Sequence, residues 1–490
     1  MQANKTCAVI GAGVAGLASA IRMRNKNYDV VLFEANSFPG GKLSTESNDG
    51  YRFDMGPSVF TMPEYVDELF ELSGKNPRDY FSYEQLDPVY RYFFEDGSTL
   101  DGYHGKERFA AEIAKKSNDE RATIVRYLEK TEIMYDLTAE VFLHNSLHKA
   151  RNFFTKAVAK GILNFGKIGA FATMHQQNEK AFKDARLVQI FNRYATYNGS
   201  SPYLAPATLN VIPHVEIMKG AYYPKGGMFS ITKALVKLAT ELGVEIRYNS
   251  SVTEILLKDN KAVGVKVNGE SNMYDVVISN MDVYNTYQKL IPTTKKPKKT
   301  LDQPKSSSGI IFYWGIKHSF ENLKLHNILF SADYEAEFNT IFSKKEIYHD
   351  PTIYVNITSK HTPEDAPEGC ENWFTFINVP NNQGQDWDAF IDQAREAVIA
   401  KVNRMLNTDI RPMIQCELVF DPRVIEKRTS SAFGAIYGNS SNNKFAAFLR
   451  HANFSNKIKN LYFCGGSVHP GPSIPLCLLS AKITTGLVKN

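Results

Sequence analysis

An α/β fold is predicted for this 490-residue chain from three stretches that lie far apart in it. The first, Cys7 to Ile21, runs an apolar strand into Gly11, Gly13 and Gly16 and then into an amphipathic helix. The second, Asp29 to Glu34, is another apolar strand and ends in an acid. The third, Asn460 to Leu487, repeats the order of strand, glycine turn and helix at the far end of the chain. Together they describe a Rossmann-like, dinucleotide-binding domain to which the C-terminus returns.

Each element of that cradle has a physical reason. Gly11 allows the tight turn, and Gly13 lets the backbone approach a pyrophosphate with no Cβ in the way. Val14 and Ala15 open a helix whose free N–H groups face the phosphates, and Gly16 lets that helix pack close to the strand. Glu34, followed by Ala35, stands where a ribose hydroxyl needs a carboxylate acceptor, which argues against a 2′-phosphate and for FAD or NAD over NADP. Gly40 and Gly41 then precede Lys42 and Leu43, so that backbone amides and a cation can reach a pyrophosphate from the side opposite the first helix. The alternative at this point is a hairpin turn with a solvated lysine.

Composition bounds the rest. A chain of this length forms two or three domains, and its 43% hydrophobic residues can fill them. The net charge of +5 is small, and no dense Lys/Arg block interleaved with aromatic residues suggests a nucleic-acid groove. Cys7, Cys370, Cys416, Cys464 and Cys477 are scattered and fit neither a disulfide framework nor a zinc site, which suits a cytoplasmic location. His144, His148 and His175 lack metal-ligand spacing, so no metal is expected. Lys5 followed by an apolar run imitates a signal peptide, but the glycines at fingerprint positions argue against that reading. No run reaches the length of a membrane-spanning helix.

The cradle, Glu34 and the Gly41-Lys42-Leu43 element resemble the flavin-containing amine oxidase superfamily. That resemblance implies FAD as cofactor, with Lys42 and Leu43 beside the pyrophosphate and flavin and with Gly56, Pro57 and Ser58 near the isoalloxazine. It also implies that Val252 meets the adenine through its backbone. Farther along, Tyr197-Asn-Gly199, Ala205-Pro-Ala207 and Tyr223-Pro-Lys-Gly-Gly-Met228 narrow the resemblance to the phytoene desaturase branch of carotenoid enzymes. The segment from Gly465, Gly466 and Ser467 to Ile474 and Pro475 resembles the C-terminal flavin motif of that family. Within the branch, Ser306 to Lys317, Asn378 to Trp387 and Pro475 to Lys482 look most like hydroxycarotenoid 3,4-desaturases of pigmented bacteria.

The chain then divides as follows. Residues 1–61, 213–291 and 456–490 form the FAD-binding domain; 62–212 is a mainly helical insertion, a candidate membrane face; 292–455 is a strand-rich substrate domain, opened by a linker from Pro292 to Lys305. His148 to Lys167 carries Lys149, Arg151, Lys156, Lys160 and Lys167 without an acid, and reads equally as an interfacial amphipathic helix or as a solvated helix packed on the core. The expected partners are a hydrophobic carotenoid, the cytoplasmic membrane surface, and oxygen or a quinone as electron acceptor. His214 and Glu216 are the candidates for a general base, against the favoured alternative of an ordinary polar pair at a domain junction. Phytoene or neurosporene desaturation, carotenoid isomerisation, amine oxidation and a non-catalytic isoprenoid-binding role stay open as alternatives.

Overall fold

A computed structural model describes residues 4–143, 145–146, 148–149, 172–443 and 449–489. The α/β class is what the chain adopts. Its organising layer is a five-stranded parallel sheet in the order Glu245–Arg247, Asp29–Phe33, Thr6–Ile10, Val276–Ser279, Leu461–Phe463. Cys7 registers with Val276 on one side and Val30 on the other, so the first strand of the sequence is central. A strand buried on both faces reads as a continuous apolar run, which is why Cys7 to Ile10 has no alternation.

Helix Val14–Arg24 crosses over this sheet and packs against helices Phe229–Glu241 and Ile474–Leu487. Its last turn carries Arg22 and Arg24, favourable at the negative end of the helix dipole, and Arg22 pairs with Glu68 at 2.8 Å. The C-terminal helix is tied down at its own end by Lys26, whose Nζ donates to the carbonyls of Thr485 at 3.0 Å and Val488 at 2.6 Å. Both ends of the chain are thereby fixed to one layer. The strand Val252–Lys258 belongs to a separate three-stranded antiparallel sheet.

A seven-stranded mixed sheet forms the second layer, in the order Ile414–Phe420, Ser308–Ile316, Glu371–Val379, Ile353–Ile357, His326–Leu329, Tyr90–Phe93, Thr99–Gly102. Period-2 alternation divides its faces. Ile310, Phe312 and Trp314 join Val398 and Val402 of helix Trp387–Leu406 in one core, whereas Ile311 and Tyr313 pack with Phe374 on the opposite face. Residues 62–212 are mainly helical, with Glu64–Leu72, Lys106–Lys116 and Arg121–Phe142 among their helices, but they also supply strands: Tyr90–Phe93 and Thr99–Gly102 to this sheet and Tyr83–Gln85 to another. The physical reason is the turn at Asp96-Gly97, which joins two alternating strands as a hairpin. The linker read from Pro292 to Lys305 includes a short helix, Lys298–Leu301.

The amphipathic stretch His148 to Lys167 lies outside the described residues except for its first two, and His144 lies outside them too. Among the described residues, no helix is long and apolar enough to cross a membrane, and no group of three or more His, Cys, Asp or Glu is placed to hold a metal.

Candidate functional site

One cavity of about 1010 Å³ runs between the two layers. At its first end the parallel sheet delivers its glycine turns side by side. Gly40 N–H donates to the Ala12 carbonyl at 2.8 Å, so the Gly40–Gly41 turn lies against the Gly11–Gly13 turn. Gly56 is pressed onto the Lys42 carbonyl. Gly11, Gly13, Val14, Ala15, Glu34 and Ala35 line this end together with Gly41, Lys42 and Leu43. Gly56, Pro57, Ser58 and Val252 also line the cavity, as do Gly465, Gly466, Ser467, Ile474 and Pro475. Gly16 is absent from the wall because its part is steric: a Cβ there would fall on the Gly11 carbonyl oxygen.

The residue that sequence reasoning missed is Asn280, at the end of strand Val276–Ser279. A Cβ on Gly13 would stand 2.7 Å from its Oδ1, and one on Gly465 would stand 2.5 Å from its Nδ2. The same amide donates to the Cys464 carbonyl at 3.2 Å, bridging the first and last glycine turns. A lone asparagine after an apolar strand carries no pattern that would have singled it out.

Glu34 is buried, and both of its carboxylate oxygens accept hydrogen bonds. Its Oε2 accepts from Ala12 N–H at 2.7 Å, and its Oε1 accepts from Asn36 N–H and Nδ2 at 2.8 Å each. These bonds fix the carboxylate at the cavity wall with lone pairs left for a ribose. The first turn of helix Val14–Arg24 contains no acid, so its positive end is left for an anion. A Cβ-free cradle, an uncompensated helix N-terminus and a fixed carboxylate on one wall fit an FAD.

Lys42 lies deep in the protein with its accessible surface on the cavity, and its Nζ donates to the Ile436 carbonyl at 2.6 Å. Burial lowers its pKa, against the pull of Asp282. The Ser467 hydroxyl accepts from Val283 N–H at 3.0 Å. Ser58 Oγ and Tyr354 OH are 2.7 Å apart, and Tyr354 OH is 2.7 Å from His326 Nδ1.

Beyond Ser58 the cavity continues into an apolar chamber. One wall is the inner face of the seven-stranded sheet, with Ile311, Ile328, Phe374 and Phe376; another comes from Tyr135, Val211 and Val215. A charged cluster is set into this chamber. Arg193 Nη2 and Glu216 Oε1 are 3.2 Å apart, with side chains only 6% and 3% exposed. Tyr194 OH donates to Glu216 Oε1 at 2.6 Å and Tyr197 OH donates to Oε2. Tyr197 OH is also 2.8 Å from Tyr90 OH, and the Arg193 guanidinium sits 4.4 Å from the Tyr90 ring centre. Glu216 lies in a π-helical turn, His214–Lys219, a local geometry frequent at functional sites.

The two base candidates part company here. Glu216 lines the cavity; His214 does not, and its ring lies 4.9 Å from that of Tyr135, with burial lowering its pKa. Arg193, Tyr90 and Tyr354 were not singled out by the sequence, since they sit on three separate elements and meet only in the fold.

Comparison with known proteins identifies the family of the chain. A family model described as flavin containing amine oxidoreductase matches residues 14–488. The chain is 48% identical over 486 residues to a 1-hydroxycarotenoid 3,4-desaturase of Flavobacterium sp. (strain P99-3), covering 99% of each. It is 34% identical to a 4,4′-diapolycopene oxygenase of Methylomonas sp., covering 98% of this chain and 97% of that one. Among solved structures, an engineered putrescine oxidase matches with a TM-score of 0.64 at 14% identity, covering 99% and 98% of the two chains, which is a likeness of fold.

Proposed function

Because the chain belongs to the flavin-containing amine oxidoreductase family, we propose that it is an FAD-dependent carotenoid desaturase that forms the 3,4 double bond of a 1-hydroxycarotenoid. The full-length match to the Flavobacterium desaturase carries this reading. The apolar chamber that opens directly from the cofactor cradle supports it, since a long polyene needs such a chamber and a polar substrate does not. In this reading residues 1–61, 213–291 and 456–490 form a Rossmann-like cofactor domain, into which 62–212 and 292–455 insert to house the polyene.

Bound FAD supplies the hydride acceptor. The chain's own residues do the rest. Glu34 would hold the ribose, the Gly11–Gly16 turn the pyrophosphate, and Gly465 to Pro475 the flavin side, with Lys42 reaching the flavin beside them. The sheet face with Phe374 and Phe376 orients the polyene and excludes water from the reacting carbons. Removal of an allylic hydride leaves positive charge spread along the polyene, and a proton on the neighbouring carbon must then leave. Glu216 is the proposed acceptor of that proton, held in place by Arg193 and two tyrosine hydroxyls.

The test is incubation of FAD-loaded protein with 1′-hydroxy-γ-carotene and, separately, with phytoene in liposomes, followed by absorbance and product mass. Loss of a hydrogen pair with a red shift from the hydroxylated substrate is expected. Turnover of phytoene alone would overturn the substrate assignment, and a product that gains oxygen would place the chain with the oxygenase relatives. Running the assay with oxygen or with a quinone identifies the acceptor. Binding of the protein to the liposomes checks peripheral association with the cytoplasmic membrane, the location we assign.

A further inference from the structure

Two cations that line the cavity are matched by an acid, Arg193 by Glu216 and Arg428 by Glu46 at 3.1 Å, and a third, Lys427, is exposed. Arg450 is different. It is 4% exposed, lines the cavity, and among the described residues donates only to backbone carbonyls, those of Gly466 at 3.3 Å, Asn439 at 3.2 Å and Tyr437 at 3.5 Å. No described carboxylate lies within ion-pair distance of it, nor of Lys42, whose ammonium meets the Ile436 carbonyl.

The two cations belong to one place. Both act on the Cys477 thiol, lowering its pKa against the burial that pushes it to about 11. Cys477 also lies 3.8 Å from where a Gly466 Cβ would stand, at the start of helix Ile474–Leu487. The acid nearest in effect to Lys42 is Asp282, and its carboxylate is already occupied as the N-cap of helix Val283–Asn285, accepting from Tyr284 N–H at 2.9 Å. A guanidinium buried among carbonyls is costly, because carbonyl dipoles offset only part of the lost hydration. Arg450 feels that cost, since burial lowers its pKa to about 10.

An uncompensated cation persists where an anion arrives during function. We infer that Arg450, with Lys42 near it, holds the negative charge that the flavin ring acquires on accepting a hydride, and thereby raises the reduction potential of the bound cofactor. The charge balance is simple. A hydride brings a proton and an electron pair to a neutral ring, leaving it with one negative charge. The substrate gives up that hydride and releases a proton, and the electron acceptor later returns the ring to neutrality. The pyrophosphate is the other anion of the cofactor, but it is charged in both redox states, so a cation serving it would not change the potential. The C-terminal turn carrying Gly466 is the flavin end of the cradle in the reading above, whereas the pyrophosphate belongs to the Gly11–Gly16 end. The inference rests on FAD binding and is independent of which polyene is oxidised.

The test needs no carotenoid. The midpoint potential of bound FAD and the affinity for sulfite, which adds to the oxidised ring and leaves it negative, are measured for wild type, Arg450→Met, Arg450→Lys and Lys42→Met. Arg450→Met is expected to bind sulfite at least tenfold more weakly and to lower the potential by at least ~30 mV, the two-electron equivalent of that tenfold change. Lys42→Met shifts both in the same direction, and Arg450→Lys stays within a few-fold of wild type. If Arg450→Met purifies without cofactor, the ratio of its dissociation constants for oxidised and reduced FAD gives the same quantity through the thermodynamic cycle. An unchanged potential and unchanged sulfite affinity would overturn the inference, and so would an equal loss of affinity for both redox states, the signature of a phosphate contact. Failure of any variant to bind FAD while wild type also fails would instead sink the cofactor reading itself.

Discussion

The same substitution, glycine to alanine, should act with opposite sign at two helical positions of this chain. At Gly16 the new Cβ would fall on the Gly11 carbonyl oxygen, 3.2 Å from the Gly11 carbonyl carbon and 3.1 Å from Asn280 Oδ1. Two of these neighbours are backbone of the central turn and cannot rotate away. Overpacking of this kind costs about 1–3 kcal/mol, and the upper part of that range applies because rigid atoms are met. Better helix propensity returns about 1 kcal/mol, so Gly16→Ala should lose about 1–2 kcal/mol net. At Gly486, in helix Ile474–Leu487, a Cβ meets nothing within 4 Å. There the propensity term acts alone, and Gly486→Ala should gain about 0.5–1 kcal/mol. Equilibrium urea unfolding of the cofactor-free protein, followed by circular dichroism, reads both. Titration with FAD adds an independent check: the helix start displaced in Gly16→Ala should weaken binding at least tenfold, with no change in Gly486→Ala. If the two variants shift stability in the same direction, or Gly16→Ala binds FAD like wild type, the close-approach argument is wrong.

Further expectations concern the buried polar groups. Glu34→Gln turns one of two accepting oxygens into a donor facing either Ala12 N–H or the Asn36 amides, at a cost of about 1–3 kcal/mol, and FAD affinity should fall at least tenfold in a fluorescence titration. Arg193→Met leaves Glu216 buried without its cation and should cost about 3–5 kcal/mol in urea unfolding. Adding Glu216→Leu should recover part of that loss, and strict additivity of the pair would contradict the ion-pair description. Burial, with help from His361 and Arg193, lowers the His326 pKa to about 3. The unfolded chain therefore takes up a proton near pH 6.5 that the folded chain refuses until about pH 3, and stability falls as pH drops through that window. His326→Asn should remove about 2 kcal/mol of the stability lost between pH 7 and 5, visible as a flatter profile of urea midpoints.

The cofactor half of the site was legible because its constraints are steric and local. Gly11 needs its positive φ of 94°, Gly13 and Gly16 answer to an obstacle one strand or a few residues away, and such requirements leave a spacing behind in the sequence. The Gly465–Gly466 turn was legible for the same reason, as a second strand-to-helix turn. The substrate half follows another logic. Tyr90, Arg193, Glu216 and Tyr354 come from a strand, a 3₁₀ turn, a π-helical turn and another strand, and no short window contains the cluster. Burial of a charge is invisible until its partner is known, so Arg193 reads in sequence as one more surface arginine. The Tyr90–Phe93 hairpin is a different case, since its alternation and the Asp96-Gly97 turn were present to be read and were outweighed by the helical periodicity on either side.

Among the described residues that line the cavity, the acids are Glu34, Glu216 and Asp282, and two have other work. Glu34 is spent on Ala12 and Asn36, and Asp282 caps a helix beside Lys42. Glu216 is thus the acid placed on the substrate side. Its carboxylate would have to take a proton from carbon, and an ordinary C–H is far too weak an acid for that. The reaction removes that objection: once the hydride has left, a hydrogen beside the delocalised cation is far more acidic than any ordinary C–H, and a weak base suffices. Within the apolar chamber the Arg193 guanidinium stands as the counter-charge to that carboxylate, 3.2 Å away. The hydride step should then limit flavin reduction, with the proton lost afterwards. Deuterium at the carbon that gives up the hydride should slow single-turnover bleaching of the flavin several-fold, while deuterium at the neighbouring carbon leaves it unchanged. Equal slowing from both positions would show concerted loss and would refute the stepwise order.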